Sequence, residues 1–405
     1  MRRAGSLLAV VLFLAGCGGG DTGSTRITSD TLTIYTGLPL RGVRGDDGQA
    51  VLRGEKLALD DAGGHVGNLS IGLIALDDTD TKTGVWAPGQ VAANAHEAAQ
   101  NPTAIAYIGD LDSGASAVSI PITNEIGVLQ VSPLSSYTGL TQPADKGEPT
   151  KYYPSGKRTF ARLVPTGSVE AAAMAEWMKG MGIAKVALVY DGLQEGLGQG
   201  GELERALHAA HVNVVDVLRL DPHDGPADIA GDARDLVKAP APAVVYAGAS
   251  MPAALSLFRA VHDREPGEDL FATNGVAGAG LAAGLQSAER QVYVTSPLLP
   301  IGRRPAPARA MSARYRSLFG VSAPPAALYG YEAMRTVLSA IRRAGADGND
   351  RQKVIDAYFA TAAAHSVLGP YSIDAGGDTS SSTYGAFRVR DGRLVFDRIL
   401  HPAVS

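Results

Sequence analysis

Apolar residues in this chain fall in short runs, each followed by a polar turn and then by apolar positions at helical spacing. The stretch Ala104–Ser136 (AIAYIGDLDSGASAVSIPITNEIGVLQVSPLSS) shows the pattern most clearly. It predicts a strand at Ala104–Gly109, a helix at Ser113–Glu125 and a second strand at Gly127–Val131 that ends in Ser-Pro-Leu-Ser-Ser. Pro121 inside that helix predicts a kink or a shorter helix. Upstream, the pattern gives a strand at Leu32–Tyr35, a loop at Thr36–Gln49 and a helix at Leu52–Ala62 stopped by Gly63-Gly64. A strand at Leu69–Leu76, a polar turn at Asp77–Asp80 and a helix at Val91–Gln100 follow.

Tyr137–Lys157 lacks periodicity and reads as loop and crossover. Alternation then resumes with strands at Phe160–Val164, Val186–Tyr190, Val212–Leu218, Val244–Ala247 and Val292–Ser296. Helices at Val169–Met181, Glu202–Ala210, Ile229–Lys238 and Pro252–His262 lie between them. Three more helices are predicted near Ala308–Phe319, Tyr329–Ala344 and Arg351–Ala364. The tail reads as strands at Gly369–Asp374, Ala386–Arg390 and Leu394–Leu400, with Asp391-Gly392 as a hairpin turn. Alternating strands and helices define an α/β fold with mostly parallel sheets.

In such a sheet the loop before Ser113 and the loop carrying Ser135 and Ser136 lie side by side at the carboxyl edge, where open α/β sheets bind ligands. Hydroxyls there, with the free N–H groups of a helix start, suit a carboxylate or similar anion. No acid, base or nucleophile pair accompanies them, so the pattern points to holding a small molecule and not to an enzyme.

Met1-Arg2-Arg3, the apolar run Leu7–Ala15 and the ending Leu14-Ala15-Gly16-Cys17 predict a secretory signal. Its last four residues look like a lipobox, with Cys17 the lipidated residue. Cys17 is the chain's one cysteine, so no internal disulfide forms. Residues 18–30, rich in Gly, Ser and Thr, predict a flexible tether. Residues 31–405 exceed one ordinary core and predict two lobes. A net charge of −5 without a basic stripe argues against nucleic acid. No later apolar run is long enough to span a bilayer.

The ordered set of Ala62-Gly63-Gly64, Asp77-Asp78, Ile108-Gly109…Ser113, Gly127-Val128…Ser132-Pro133 and Gly369-Pro370…Asp374…Gly377-Asp378 resembles the leucine/isoleucine/valine-binding protein family. Its members are the solute receptors of branched-chain amino acid ABC importers. The resemblance implies two Rossmann-like lobes with parallel sheets, joined by a three-crossing hinge that closes on a ligand in the cleft. It divides the chain into lobe I (31–158 and 298–366) and lobe II (159–297 and 367–405). It also implies an exported, lipid-anchored or periplasmic protein that works with an ABC permease and needs no cofactor.

Carried over by position, the family's carboxylate-holding serine is Ser113, and its second contact loop is Leu134, Ser135 and Ser136. The first-lobe aromatic is replaced by Asp47, a second-lobe tyrosine by Glu195, and a second aromatic by Ala249-Ser250. The acid that grips the ligand ammonium falls near Asn274. These exchanges imply a polar or cationic small molecule, an amino acid or related compound, unless Asp47 and Glu195 are solvated rim acids.

Gly196-Leu197-Gly198-Gln199-Gly200-Gly201 fits the dinucleotide pattern, but Asp191–Glu195 separates it from its strand by more than the tight turn the motif uses. His96-Glu97 lacks the second histidine of a zinc helix. The Asp77–Asp80 turn lacks the glycine and closing glutamate of a calcium loop and reads as solvated. Two other functions share these features: a ligand-binding subunit feeding a membrane sensor, and a secreted α/β enzyme using Asp47 or Glu195 as acid or base.

Overall fold

The computed structural model describes residues 25–221, 224–236 and 243–402, excepting the side chains of 194, 195, 235, 286, 287 and 290. Cys17 and the signal segment lie outside these residues. In chain order the strands are β1 (Thr31–Leu38), β2 (His65–Val66), β3 (Leu69–Asp77), β4 (Ala104–Ile108), β5 (Leu129–Ser132), β6 (Phe160–Arg162), β7 (Lys185–Asp191) and β8 (Asn213–Leu220). They continue with β9 (Ala243–Ala247), β10 (Asp269–Ala272), β11 (Val292–Ser296), β12 (Ala362–Ala363), β13 (Tyr371–Ser372), β14 (Tyr384–Arg390) and β15 (Arg393–Leu400). The helices are α1 (Gly45–Asp61), α2 (Pro88–Gln100), α3 (Ser113–Glu125), α4 (Gly167–Gly180), α5 (Gln194–Ala209) and α6 (Pro226–Leu236). After them come α7 (Met251–Arg264), α8 (Ala279–Gly284), α9 (Ala306–Phe319), α10 (Pro325–Arg343) and α11 (Arg351–Phe359).

Two sheets carry the two lobes. The first has the order β2-β3-β1-β4-β5-β6 and the second β15-β14-β11-β10-β9-β7-β8. Pairing is parallel except for β2 with β3 and the β11–β14–β15 edge. Every residue of β4 is buried, as expected of an inner strand covered on both faces. In the first lobe α1 and α9 to α11 share one core with the sheet, while α2 and α3 cover the other face. The chain crosses between sheets after β6, after β11 and before β14. β6, placed in the second lobe by the sequence division, pairs with β5 in the first sheet, and Val367, Tyr371 and Ile373 join the first core.

Close packing explains several glycines. A methyl group at Gly54 would lie 2.1 Å from Ala327 O, and one at Gly330 would lie 2.1 Å from Val51 O, so these residues let α1 and α10 touch backbone to backbone. The glycines of 196–201 sit inside α5, not in a phosphate-type loop. A methyl at Gly198 would lie 2.0 Å from Tyr137, and one at Gly200 would lie 2.7 Å from Tyr190. The fingerprint is therefore helix packing. Two expectations are corrected: α3 runs unbroken through Pro121, and Gly369–Asp374 contributes only the two-residue β13. The short β10 went unpredicted because Asp-Leu-Phe-Ala is too brief to show a period. No helix among the described residues is long and apolar enough to cross a membrane.

Candidate functional site

The carboxyl edges of the two sheets face each other where Ser136 meets Asn274. Asn274 Nδ2 donates to Ser136 Oγ at 3.4 Å, joining the loop after β5 to the loop after β10. Ser113, the first residue of α3, is 2 % exposed, and its Oγ accepts from Tyr137 N at 3.1 Å. The two serine turns are thus adjacent, as the strand order requires. Tyr137 itself packs against Gly198 of α5, so the lobes touch here.

The remaining expected residues divide. Leu134 is buried beside these turns. Ser135 turns into the first lobe: its Oγ lies 2.7 Å from Ser116 Oγ and donates to Asp110 O at 3.0 Å. Asp47 is half-buried in the first turn of α1, 3.4 Å from Arg44, which also donates to Asp112 at 2.8 Å. Glu195 falls in the first turn of α5, with its side chain among those not described. Ala249 N and Ser250 N donate to Asp191 Oδ2 at 2.8 and 2.9 Å, and Ser250 Oγ caps α7. That loop lies against the Asn274 loop, for a methyl at Gly275 would stand 2.2 Å from Gly248 O.

Several residues near the cleft gave no sequence signal. Asn274 is fixed by Glu170, whose Oε1 accepts from Asn274 N at 2.7 Å and from Thr295 at 2.5 Å, and whose Oε2 accepts from Asn274 Nδ2. Burial pushes Glu170 up to about 7 despite these donors. Glu202 is also pushed up to about 7 by burial, and a methyl at Gly167 would lie between its Oε2 and Ser136 O. In the first lobe, Asp110 accepts from Tyr107 OH at 3.1 Å and Ser119 Oγ at 2.5 Å, and burial raises it to about 7. Trp86 lies on the start of α3, with Cζ2 2.6 Å from a methyl built at Gly114.

The expectation of a solvated Asp77–Asp80 turn is corrected. Asp77 accepts from Leu40 N, Thr79 N and Arg41 Nε, and these donors hold it below the usual range against the opposing effect of burial. Asp78 is 1 % exposed. The loops 39–44 and 84–87 fold over it, which the local sequence does not reveal. A site of this form can take an anion at Ser113 and the adjacent turn, with buried carboxyls on both lobes to receive donors.

Two α/β lobes whose carboxyl edges oppose one another, joined by three crossings, define a type I periplasmic-binding fold. A sequence model described as Periplasmic binding protein matches residues 36–393, and the chain belongs to that family. A leucine binding protein from Thermotoga maritima is similar in structure, with a TM-score of 0.78 at 20% identity, covering 92% of this chain and 99% of its own. A solute binding protein of an ABC transporter from R. palustris, solved with benzoate, has a TM-score of 0.74 at 19% identity, covering 93% and 98%. A branched-chain amino acid transporter substrate binding protein from Streptococcus pneumoniae, solved with isoleucine, has a TM-score of 0.74 at 17% identity, covering 92% and 100%. A search of curated proteins gives no match.

Proposed function

We propose that this protein is an extracytoplasmic solute receptor of an ABC importer of the branched-chain amino acid type, anchored by a lipid on Cys17. It binds a small polar ligand, an amino acid or related compound, between its lobes. The observation that carries the reading is the meeting of Ser113 and Ser136 of the first lobe with Asn274 of the second. A ligand anion at the α3 start gains N–H groups and the Ser113 hydroxyl from one lobe, while the second lobe covers it. Only the closed arrangement offers both sets of contacts, so ligand shifts the population toward closure. Family membership supports the reading, as do the amino acid and the aromatic acid bound by the two ligand-containing relatives.

The test is a thermal-shift screen of amino acids, amides, polyamines, short peptides and aromatic acids, followed by calorimetry with the compound that stabilises most. Ser113→Ala is expected to weaken that compound roughly 10- to 100-fold, because a buried anion loses a donor. Unchanged affinity in this variant, or no stabilising compound at all, overturns the reading. For the anchor, Cys17→Ala is expected to release the protein from the membrane fraction.

A further inference from the structure

Asn274 is half-buried at the start of the short turn after β10, and its side chain reaches across to the first lobe. One half of its amide is fully engaged. Nδ2 donates to Glu170 Oε2 and, at 3.4 Å, to Ser136 Oγ. The other half is free: Oδ1 accepts nothing from the described residues and is not among the covered polar atoms. The amide therefore shows its oxygen to the space between the lobes.

Glu170 fixes that orientation. It sits in the first turn of α4, 1 % exposed, and takes Asn274 N at 2.7 Å and the Thr295 hydroxyl at 2.5 Å on Oε1. An ionised carboxyl only accepts, so the amide must turn its NH2 to Glu170 and its oxygen away. The turn itself is pinned, since a methyl at Gly275 would stand 2.2 Å from Gly248 O.

The second lobe thus sets a neutral oxygen opposite Ser136, with the carboxyl one residue behind it and both its oxygens taken. An ammonium has three N–H groups and a full charge, and here it would meet one neutral acceptor. Other described carboxyls do not supply the charge. Asp47 lies 3.4 Å from Arg44, and the oxygens of Glu202 are covered. A hydroxyl has one hydrogen and no charge, and a single oxygen completes it.

We propose that Asn274, positioned by Glu170, selects a 2-hydroxy acid over the amino acid of the same side chain. The carboxylate lies at Ser113, and the 2-hydroxyl donates to Asn274 Oδ1. The proposal rests on the functional reading above, that the cleft takes a small anion at Ser113, and it narrows the ligand class.

Calorimetry with three matched pairs tests it: L-alanine and L-lactate, L-leucine and L-2-hydroxyisocaproate, L-phenylalanine and L-phenyllactate. Within a pair the acids differ only in the group set against Asn274. The hydroxy acid is expected to bind at least about 10-fold tighter than its amino acid. Glu170→Gln combined with Asn274→Asp exchanges the two groups, keeps the bond between them with its donor on the α4 side, and turns a carboxylate to the cleft. This double variant is expected to melt close to the parent and to reverse the preference, with the amino acid about 10-fold tighter. Asn274→Asp alone sets two carboxylates together and is expected to melt earlier than the double variant. If the double variant regains the parent's melting temperature but keeps its preference, the pair is only structural and the proposal is overturned. If amino acids bind the parent more tightly and Ser113→Ala weakens them, the proposal falls and the functional reading stands. If none of the six acids binds, or Ser113→Ala changes nothing, both fall.

Discussion

Asp191 closes β7 in the second lobe, and Asp78 follows β3 in the first; both are buried, 2 % and 1 % exposed. Asp191 accepts from Leu193 N at 3.2 Å, Tyr246 OH at 2.8 Å, Ala249 N at 2.8 Å and Ser250 N at 2.9 Å. Asp78 accepts from nothing among the described residues. The same residue type at the same kind of position is saturated in one lobe and bare in the other. Asp191 takes donors of its own lobe and Asn274 is likewise held by Glu170, but Glu202 of α5 is a buried second-lobe carboxyl whose oxygens, like those of Asp78, have no hydrogen-bond partner among the described residues. Each lobe therefore keeps a buried carboxyl without a donor, Asp78 in the first and Glu202 in the second. Under the proposed function, the contrast between Asp78 and Asp191 is a division of work to test: the first lobe selects the ligand and the second lobe, apart from Asn274, covers it.

The largest effect is expected from Asp191→Ala. It leaves the buried Tyr246 hydroxyl and three part-buried backbone N–H groups without their acceptor, and should cost about 2–4 kcal/mol. Urea unfolding at pH 7 measures it, with Asp78→Asn as the counterpart that loses nothing. A cost under about 1 kcal/mol for Asp191→Ala would break the contrast.

A smaller effect comes from pH and reaches both lobes. Asp78 at about 8, and Asp110, Glu170 and Glu202 at about 7, are all raised chiefly by burial. A carboxyl raised in the folded state holds a proton there that the unfolded chain releases above about pH 4. The stability it contributes is complete below that pH and is lost as pH rises through 7 to 8. The ligand-free protein should therefore melt at a higher temperature at pH 5 than at pH 8. Asp78→Asn should flatten the upper part of that slope, which differential scanning calorimetry across the range resolves. A profile that rises toward pH 8 would show that these carboxyls are not buried as described.

The strand–helix rhythm was legible because each element carries its own period, and the α3 limits Ser113–Glu125 match the pattern. The adjacency of Ser113 and Ser136 follows from β4 pairing with β5, a local consequence of the βαβ order. Asp78 was not legible. Asp77-Asp78-Thr79-Asp80 has the composition of a solvated turn, and its burial depends on the far end of its own loop, which folds back on it and is clipped to the loop after β1. Glu170 was equally hidden, since its partners Asn274 and Thr295 lie 104 and 125 residues away in sequence. The glycines of α5 misled for a related reason: the tyrosines that require them, Tyr137 and Tyr190, belong to other elements. Local pattern finds elements and the turns between them, whereas the state of a buried charge is set by what arrives from elsewhere.

Ser250 gives the finest test of how the lobes divide the work. It lines a cavity of about 190 Å³ with Asp191, Leu193 and Asp221, at the carboxyl edge of the second sheet. Its N–H is committed to Asp191, and its hydroxyl accepts from Ala253 N at 3.4 Å as the cap of α7. The long cap bond places Ser250→Ala at the low end for such a substitution, about 0.5–1 kcal/mol of stability. If the second lobe, apart from Asn274, only covers the ligand, affinity should stay within about twofold in this variant, below the roughly 0.4 kcal/mol that twofold represents. A tenfold loss of affinity would mean that the hydroxyl leaves its cap to reach the ligand on closure. Selection would then extend to the Ser250 loop of the second lobe, and the saturation of Asp191 would describe only the state without ligand.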